Sequence, residues 1–167
     1  VDIVNKALLM RTYVAPLQRG LVDAVLRDFS LNEDQERAVR IAGNHILTPG
    51  CGQLMMYIGG MGGTGKSRVF QAIQAVIDRA DIGSGYLVMA PTGTASNLVN
   101  GSTYHSTLGI STLREQTMTG RAKVKQRMKG KGTLLMDEAS MLAHYENYNV
   151  SRATCLAVGV TDVPYGG

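Results

Sequence analysis

Long apolar runs are missing from this sequence. None reaches the roughly 18 residues a membrane-spanning helix needs, so no such helix is expected. Cysteine is scarce: Cys51 and Cys155 are the only two. They could close one bridge but imply no disulfide framework, and two reduced thiols in an intracellular protein are expected. No Cys/His spacing matches a zinc site. The first residues show no basic start followed by an apolar stretch, so no secretory signal is expected from them. Internal repeats and low-complexity segments are absent as well.

What is present fits one folded domain. The 167 residues are 44% hydrophobic and 18% charged, ordinary globular values that argue against disorder along the whole chain. The net charge of +4, with a pI near 9.2, permits a polyanionic partner without showing one. Twenty glycines are many for this length. They cluster at Gly59–Gly65 and in the terminal Pro164-Tyr165-Gly166-Gly167. The chain starts at Val1 rather than Met, and a piece of a longer protein is expected.

Periodicity predicts the elements. Residues 1–30 form a partly helical lead-in, with Leu17, Leu21 and Val25 on one face of a helix that Gly20 interrupts. Asn32 is a good N-cap with Gln35 as capping-box partner. Ala38, Ile41, Ala42, His45 and Ile46 then share a face until Thr48-Pro49-Gly50. Gln53–Ile58 reads as a buried strand, Lys66–Arg79 as a helix, and Tyr86–Ala90 as a second buried strand. Thr94–Val99 is a short helix, and Thr133–Met136 a third strand. This alternation is the grammar of an α/β fold: a parallel sheet flanked by helices.

Two motifs carry chemistry. Gly60-Met61-Gly62-Gly63-Thr64-Gly65-Lys66-Ser67 fits G-x-x-x-x-G-K-[ST] between a strand and a helix, the context such a loop requires. Its backbone N–H groups must converge on phosphates, which glycine permits, and the helix that follows offers its positive end. Lys66 is placed to reach the β- and γ-phosphates, and Ser67 to give a hydroxyl to Mg²⁺. The second motif is Asp137-Glu138 at the end of an apolar strand. Asp137 is placed to hold the metal and Glu138 to activate water. An acidic pair capping the helix near Ser140 is the plainer reading.

Taken together these residues resemble the superfamily-one DNA helicases of the Pif-one family, especially the helicase region of Helitron transposons. Leu31–Gln35 looks like the family's Q motif, Gly59–Ser67 motif I, and Ala90–Ser96 motif Ia. Gly101–Ile110 is similar to the DNA-binding element that follows, and Met136–Leu142 to motif II. The resemblance runs from about residue 31 to the end. It implies a P-loop NTPase, or RecA-like, domain over 31–167 that is incomplete at its C-terminus.

The resemblance also implies roles. Gln35 reads adenine, and Gly60, Gly62, Gly63, Thr64, Gly65, Lys66, Ser67 and Arg68 bind ATP. Ser67 and Asp137 hold Mg²⁺, with Lys66, Asp137 and Glu138 catalytic. Thr92, Gly93, Thr94, Ser102 and His105 lie along single-stranded DNA, on which the family moves 5′ to 3′. Telomere maintenance, DNA repair, recombination, mitochondrial DNA upkeep and transposition all fit the family. The nucleus is the expected compartment, with the mitochondrion as the alternative.

Three departures qualify the resemblance. The family's motif III and its second RecA-like domain, with an arginine on the γ-phosphate, are not in these residues. The segment is therefore expected to bind nucleotide, hydrolyse it very slowly and unwind nothing; a degenerate transposon copy is the alternative. Residues 143–163 are more polar than the family's, which leaves exposed apolar surface expected on the sheet. Tyr104 replaces an aliphatic residue, leaving open whether it packs or stacks on a base. The basic stretch Arg121–Lys131 has charge at every odd position. It is either a solvated segment or a phosphate-tracking patch.

Overall fold

The computed structural model describes residues 16–110 and 118–167. The first fifteen residues of the lead-in, the side chain of Leu17 and the polar stretch 111–117 lie outside the described residues. The chain folds as two compact units, one ending at Gly83 and one running from Ser84 to Gly167.

The first unit is helical. α1 (Pro16–Phe29) runs straight through Gly20, because Val22, Val25 and Leu26 bury one stripe. α2 (Glu33–Leu47) starts at Asn32, whose side chain accepts from the Gln35 N–H while the Gln35 side chain accepts from the Asn32 N–H. Glu33, Asp34 and Glu36 add negative charge at its positive end. It stops at Thr48, which is extended, as a residue preceding proline must be. α3 (Lys66–Ala80) buries Val69, Phe70, Ala72, Ile73, Val76 and Ile77. Burying each large aliphatic side chain contributes about 1.5–3 kcal/mol before the entropy of ordering it.

α2 turns a slightly different face inward than its apolar pattern predicts. Val39, Ala42, Gly43 and Leu47 are buried, whereas Ala38, Ile41, His45 and Ile46 are only half-buried. Gly43 explains the rotation. A Cβ there would lie 3.1 Å from Cγ2 of Val22 and 3.5 Å from Cγ1 of Val76, so α1 and α3 close most tightly on that glycine.

The strand expected at Gln53–Ile58 does not form. The segment alternates, with Leu54, Met56 and Ile58 half-buried and Met55 and Tyr57 64% and 73% exposed, but it joins no ladder. A strand needs a hydrogen-bonding neighbour, and every strand among the described residues belongs to the second unit.

That unit is a mixed α/β layer. β1 (Gly85–Ala90), β2 (Ser102–Thr103) and β3 (Lys131–Met136) make a parallel sheet in the order β2-β1-β3. α4 (Gly93–Leu98), α5 (Tyr104–Leu108), α6 (Met118–Met128) and α7 (His144–Val158) connect and flank it. Short 3-10 turns occupy Ala139–Met141 and Pro164–Gly166. Period-two alternation sorts the strands. Leu87, Met89, Leu134 and Met136 join a core with Tyr104, Leu108, Val124, Met128, Val150, Ala153 and Ala157. Val88 and Leu135 are buried between them in sequence, on the alternate face.

Two open stretches become helices. Most of the basic segment lies in α6, where Val124 and Met128, one turn apart, are the buried ones among the described side chains. The polar stretch after Ala143 forms α7, which buries Val150, Ala153, Thr154, Cys155 and Ala157. The terminal turn folds back on α7: the Tyr165 N–H donates to the Ser151 hydroxyl and the Tyr165 hydroxyl to Asn147. Met141, Tyr145, Tyr148, Leu156 and Val158 remain exposed, on the Ala139–Met141 turn and on α7 rather than on the sheet. Both cysteines are free thiols. No helix among the described residues is long and apolar enough to cross a membrane.

Candidate functional site

The glycine-rich loop lies in the first unit, between the extended 53–58 segment and α3. Its glycines have distinct reasons. Gly63 and Gly65 stand at φ 78° and 82°, in the left-handed region that side-chain-bearing residues avoid. At Gly60 a Cβ would fall 2.8 Å from the Thr64 hydroxyl, and at Gly65 it would fall 2.6 Å from the Gln35 amide nitrogen. Gly62 has neither reason: open space surrounds it and its φ lies outside that region. The fold itself would accept a side chain there.

Lys66 and Ser67 open α3 and are half-buried. The Lys66 ammonium donates to the carbonyls of Gly60 and Met61, at 2.9 and 3.0 Å, so it lies across the loop's own backbone. The Thr64 hydroxyl donates to the Met61 carbonyl and closes the same turn. Gln35 reaches the loop from α2, donating to the Thr64 carbonyl at 2.9 Å. Its capping role and its place beside the loop are thus both real. Arg68 points the other way: its Nε donates to the carbonyl of Phe29, and its guanidinium lies 6.0 Å from that ring.

The second unit gathers the remaining candidates at one edge of its sheet. Met136, Met89 and Ser102 are level across the three strands, as are Ala90 and Thr103. The residues just past these positions therefore emerge together at the carboxyl ends, where open α/β sheets bind ligands. Asp137 is buried at 8% exposure; its N–H donates to the Met89 carbonyl, and its carboxylate accepts from the Glu138 N–H at 2.9 Å. Glu138 is exposed and held at φ 50°, a strained setting for a non-glycine residue that costs about 1–2 kcal/mol. Its side chain makes no cap to the following turn, so the capping reading of the acidic pair finds no support.

Thr92 caps α4 by accepting from the Ala95 N–H, and Gly93 and Thr94 are exposed beside it. Ser102 is exposed on β2, and His105 is half-buried on α5. The structure thus brings Gln35 together with the phosphate-type loop. It brings Thr92, Gly93, Ser102 and Asp137 to one sheet edge. The loop and the carboxylate pair belong to different units.

Tyr104 packs. It is 1% exposed within the core, with its ring 3.9 Å from that of His105. Its hydroxyl donates to Glu146 at 2.6 Å, and Glu146 also accepts from the Ala143 N–H at the start of α7. Burial, then the carboxylate beside it, keeps the phenol protonated far above its ordinary range. The Tyr104 hydrogen bond, and then the Ala143 N–H, pull the Glu146 carboxyl below its usual value. Sequence reasoning missed Glu146, whose signal was its position as N3 of a helix that was not foreseen. It also missed Arg127, whose guanidinium donates to the Ser106 carbonyl and, at 3.2 Å, to that of Thr107. These bonds satisfy the C-terminal end of α5.

Two features stand apart from these clusters. A shallow cleft is lined by Tyr148, Arg152, Cys155, Asp162, Val163 and Pro164, and no candidate residue borders it. No group of three His, Cys, Asp or Glu among the described residues could cage a metal. A hydroxyl, one carboxylate and phosphate oxygens are instead what Mg²⁺ commonly takes.

Residues 30–167 match the PIF1-like helicase family. Three proteins of Trypanosoma brucei brucei are similar. ATP-dependent DNA helicase PIF1 is 31% identical over 90% of this chain and 14% of its own length. ATP-dependent DNA helicase PIF4 is 27% identical over 87% and 18%. ATP-dependent DNA helicase PIF7 is 31% identical over 69% and 11%. The chain thus spans less than a fifth of each of these relatives. No solved structure matches it. With the loop, the acidic pair and the sheet-edge elements in their order, and the match covering 30–167, the chain belongs to the PIF1-like helicase family.

Proposed function

We propose that this chain is part of the first motor domain of an ATP-dependent DNA helicase, one that couples MgATP hydrolysis to 5′-to-3′ movement on single-stranded DNA. The glycine loop carries the reading. Gly62 is a glycine that neither backbone angle nor protein neighbours require, and an anion drawn against the backbone is what would require it. The residues fit the group. The free N–H groups at the start of α3 would take the phosphates, Lys66 would turn its ammonium from the loop carbonyls to the anion, and Gln35, bonded to the loop at Thr64, would meet the base. By the family resemblance, Ser67 and Asp137 would each offer an oxygen to Mg²⁺, which would neutralise phosphate charge. Glu138, exposed and strained beside Asp137, serves as the base that orients water.

Single-stranded DNA passes the carboxyl edge of the sheet, over Thr92, Gly93, Thr94, Ser102 and His105. The nucleus, with the mitochondrion as alternative, belongs to the same proposal, as do roles in repair, recombination or telomere upkeep.

Thermal unfolding with and without MgATP or MgADP tests the nucleotide site. Ligand at about 100 times its dissociation constant adds roughly 2.7 kcal/mol to stability. The shift should vanish in Lys66→Ala. A cooperative transition that no nucleotide moves would overturn the proposal.

A further inference from the structure

The positive charge of this chain is concentrated in one place. Between Met118 and Met136 stand Arg121, Lys123, Lys125, Arg127, Lys129 and Lys131, with no acidic residue among them. The other 11 Lys and Arg face 13 Asp and Glu, so the rest of the chain is net −2. All six cations are exposed, and none forms an ion pair among the described residues.

Helical geometry sorts them. Among the described side chains of α6, the buried ones are Val124 and Met128. Arg121 and Lys125 lie one turn apart on one flank, and Lys129, whose N–H still bonds to the Lys125 carbonyl, continues that row. Successive charges in it rise about 6 Å. Lys123 and Arg127 lie on the other flank, where Arg127 fastens the helix to the end of α5 through the Ser106 and Thr107 carbonyls. Val124 and Met128 share a core with Tyr104 and Leu108 of that same α5. The cationic helix therefore shares a core and hydrogen bonds with α5, which carries His105 and follows Ser102 of β2.

We propose that α6 is a phosphate-binding rail that extends the single-stranded DNA path beyond the sheet edge, with Arg121, Lys123, Lys125 and Lys129 contacting the backbone and Arg127 acting as the anchor. This rests on the DNA reading above. A solvated surface of one sign suits a partner recognised by charge and not by shape. Attachment to α5 selects nucleic acid over an acidic membrane surface as that partner.

Anisotropy of a labelled oligothymidine, titrated between about 50 and 200 mM salt, tests it. Replacing Arg121, Lys123 and Lys125 by glutamine should lower the slope of log affinity against log salt by about 2, at roughly 0.7 per lost phosphate contact. The charge-keeping set Arg121→Lys, Lys123→Arg and Lys125→Arg should keep the slope. Both sets should retain the nucleotide-dependent melting shift. If the triple glutamine variant folds poorly, the single replacements, each expected to remove about 0.7, carry the same test. An unchanged slope in a chain that binds DNA overturns the rail alone. So does an unchanged DNA slope accompanied by loss of binding to phosphatidylserine vesicles. Absence of DNA binding by the unaltered chain overturns the rail and the DNA reading together.

Discussion

The side-chain amide of Gln35 donates to the carbonyl of Thr64 at 2.9 Å while its oxygen accepts from the Asn32 N–H at 3.0 Å. One residue therefore starts α2 and holds the shoulder of the phosphate-type loop. The loop's conformation is tied to a helix-capping residue 29 positions away in sequence.

Splitting these two tasks is straightforward. Gln35→Glu keeps the capping acceptor but loses the donor to Thr64, so α2 should survive while MgADP affinity falls. Gln35→Ala removes both and should lower stability by about 1–2 kcal/mol. Melting curves with and without MgADP separate the outcomes. Equal nucleotide shifts in wild type and Gln35→Glu would show that the Thr64 contact has no part in binding.

The loop glycines should divide the same way. Gly63→Ala forces a side chain into a left-handed conformation and should cost about 1–2 kcal/mol without any ligand. Gly62→Ala should leave the unliganded melting point within about 0.5 kcal/mol of wild type, yet weaken MgATP binding at least tenfold, about 1.4 kcal/mol. Calorimetry on the two variants would decide it. Tight binding by Gly62→Ala would remove the main support for the phosphate cradle.

Glu146 sets an acid limit on the second unit. Its carboxyl is pulled below the ordinary 4.5 by the Tyr104 hydroxyl and the Ala143 N–H. A depressed carboxyl contributes stability that is fully present above its unfolded value and lost as pH falls through the folded one. Wild type should therefore lose stability on acidification below about pH 4.5, more steeply than Glu146→Gln. Tyr104→Phe should narrow the gap to Glu146→Gln, because the first cause of the shift is gone. Parallel acid profiles for wild type and Glu146→Gln would contradict this.

Much of the molecule was legible from local chemistry. The cap at Asn32, the helix after Lys66 and the strands ending at Ala90 and Met136 depend on interactions within a few residues or on uninterrupted apolar runs. The phosphate-type loop depends on residue types at set spacings. The segment Gln53–Ile58 was not legible, since strand character needs a partner, and a run of apolar residues does not say whether one is there. The basic segment was ambiguous because its alternating charges suit a strand as well as a helix; the structure makes it helical, with Val124 and Met128 one turn apart in the core.

The sequence alone therefore determined what short-range hydrogen bonding and backbone freedom decide: the starts of α2 and α3, the glycine loop, the acidic pair after a buried strand, and the family. Tertiary structure decided what depends on neighbours remote in the chain. Gly43 turns α2 because Val22 and Val76 close on it. Tyr104 is a core residue because Glu146, 42 positions on, accepts its hydroxyl. Arg127 becomes an anchor because the carbonyls ending α5 lie within its reach. Packing and long-range hydrogen bonds leave little trace in local pattern, because either partner alone has several equally good local conformations.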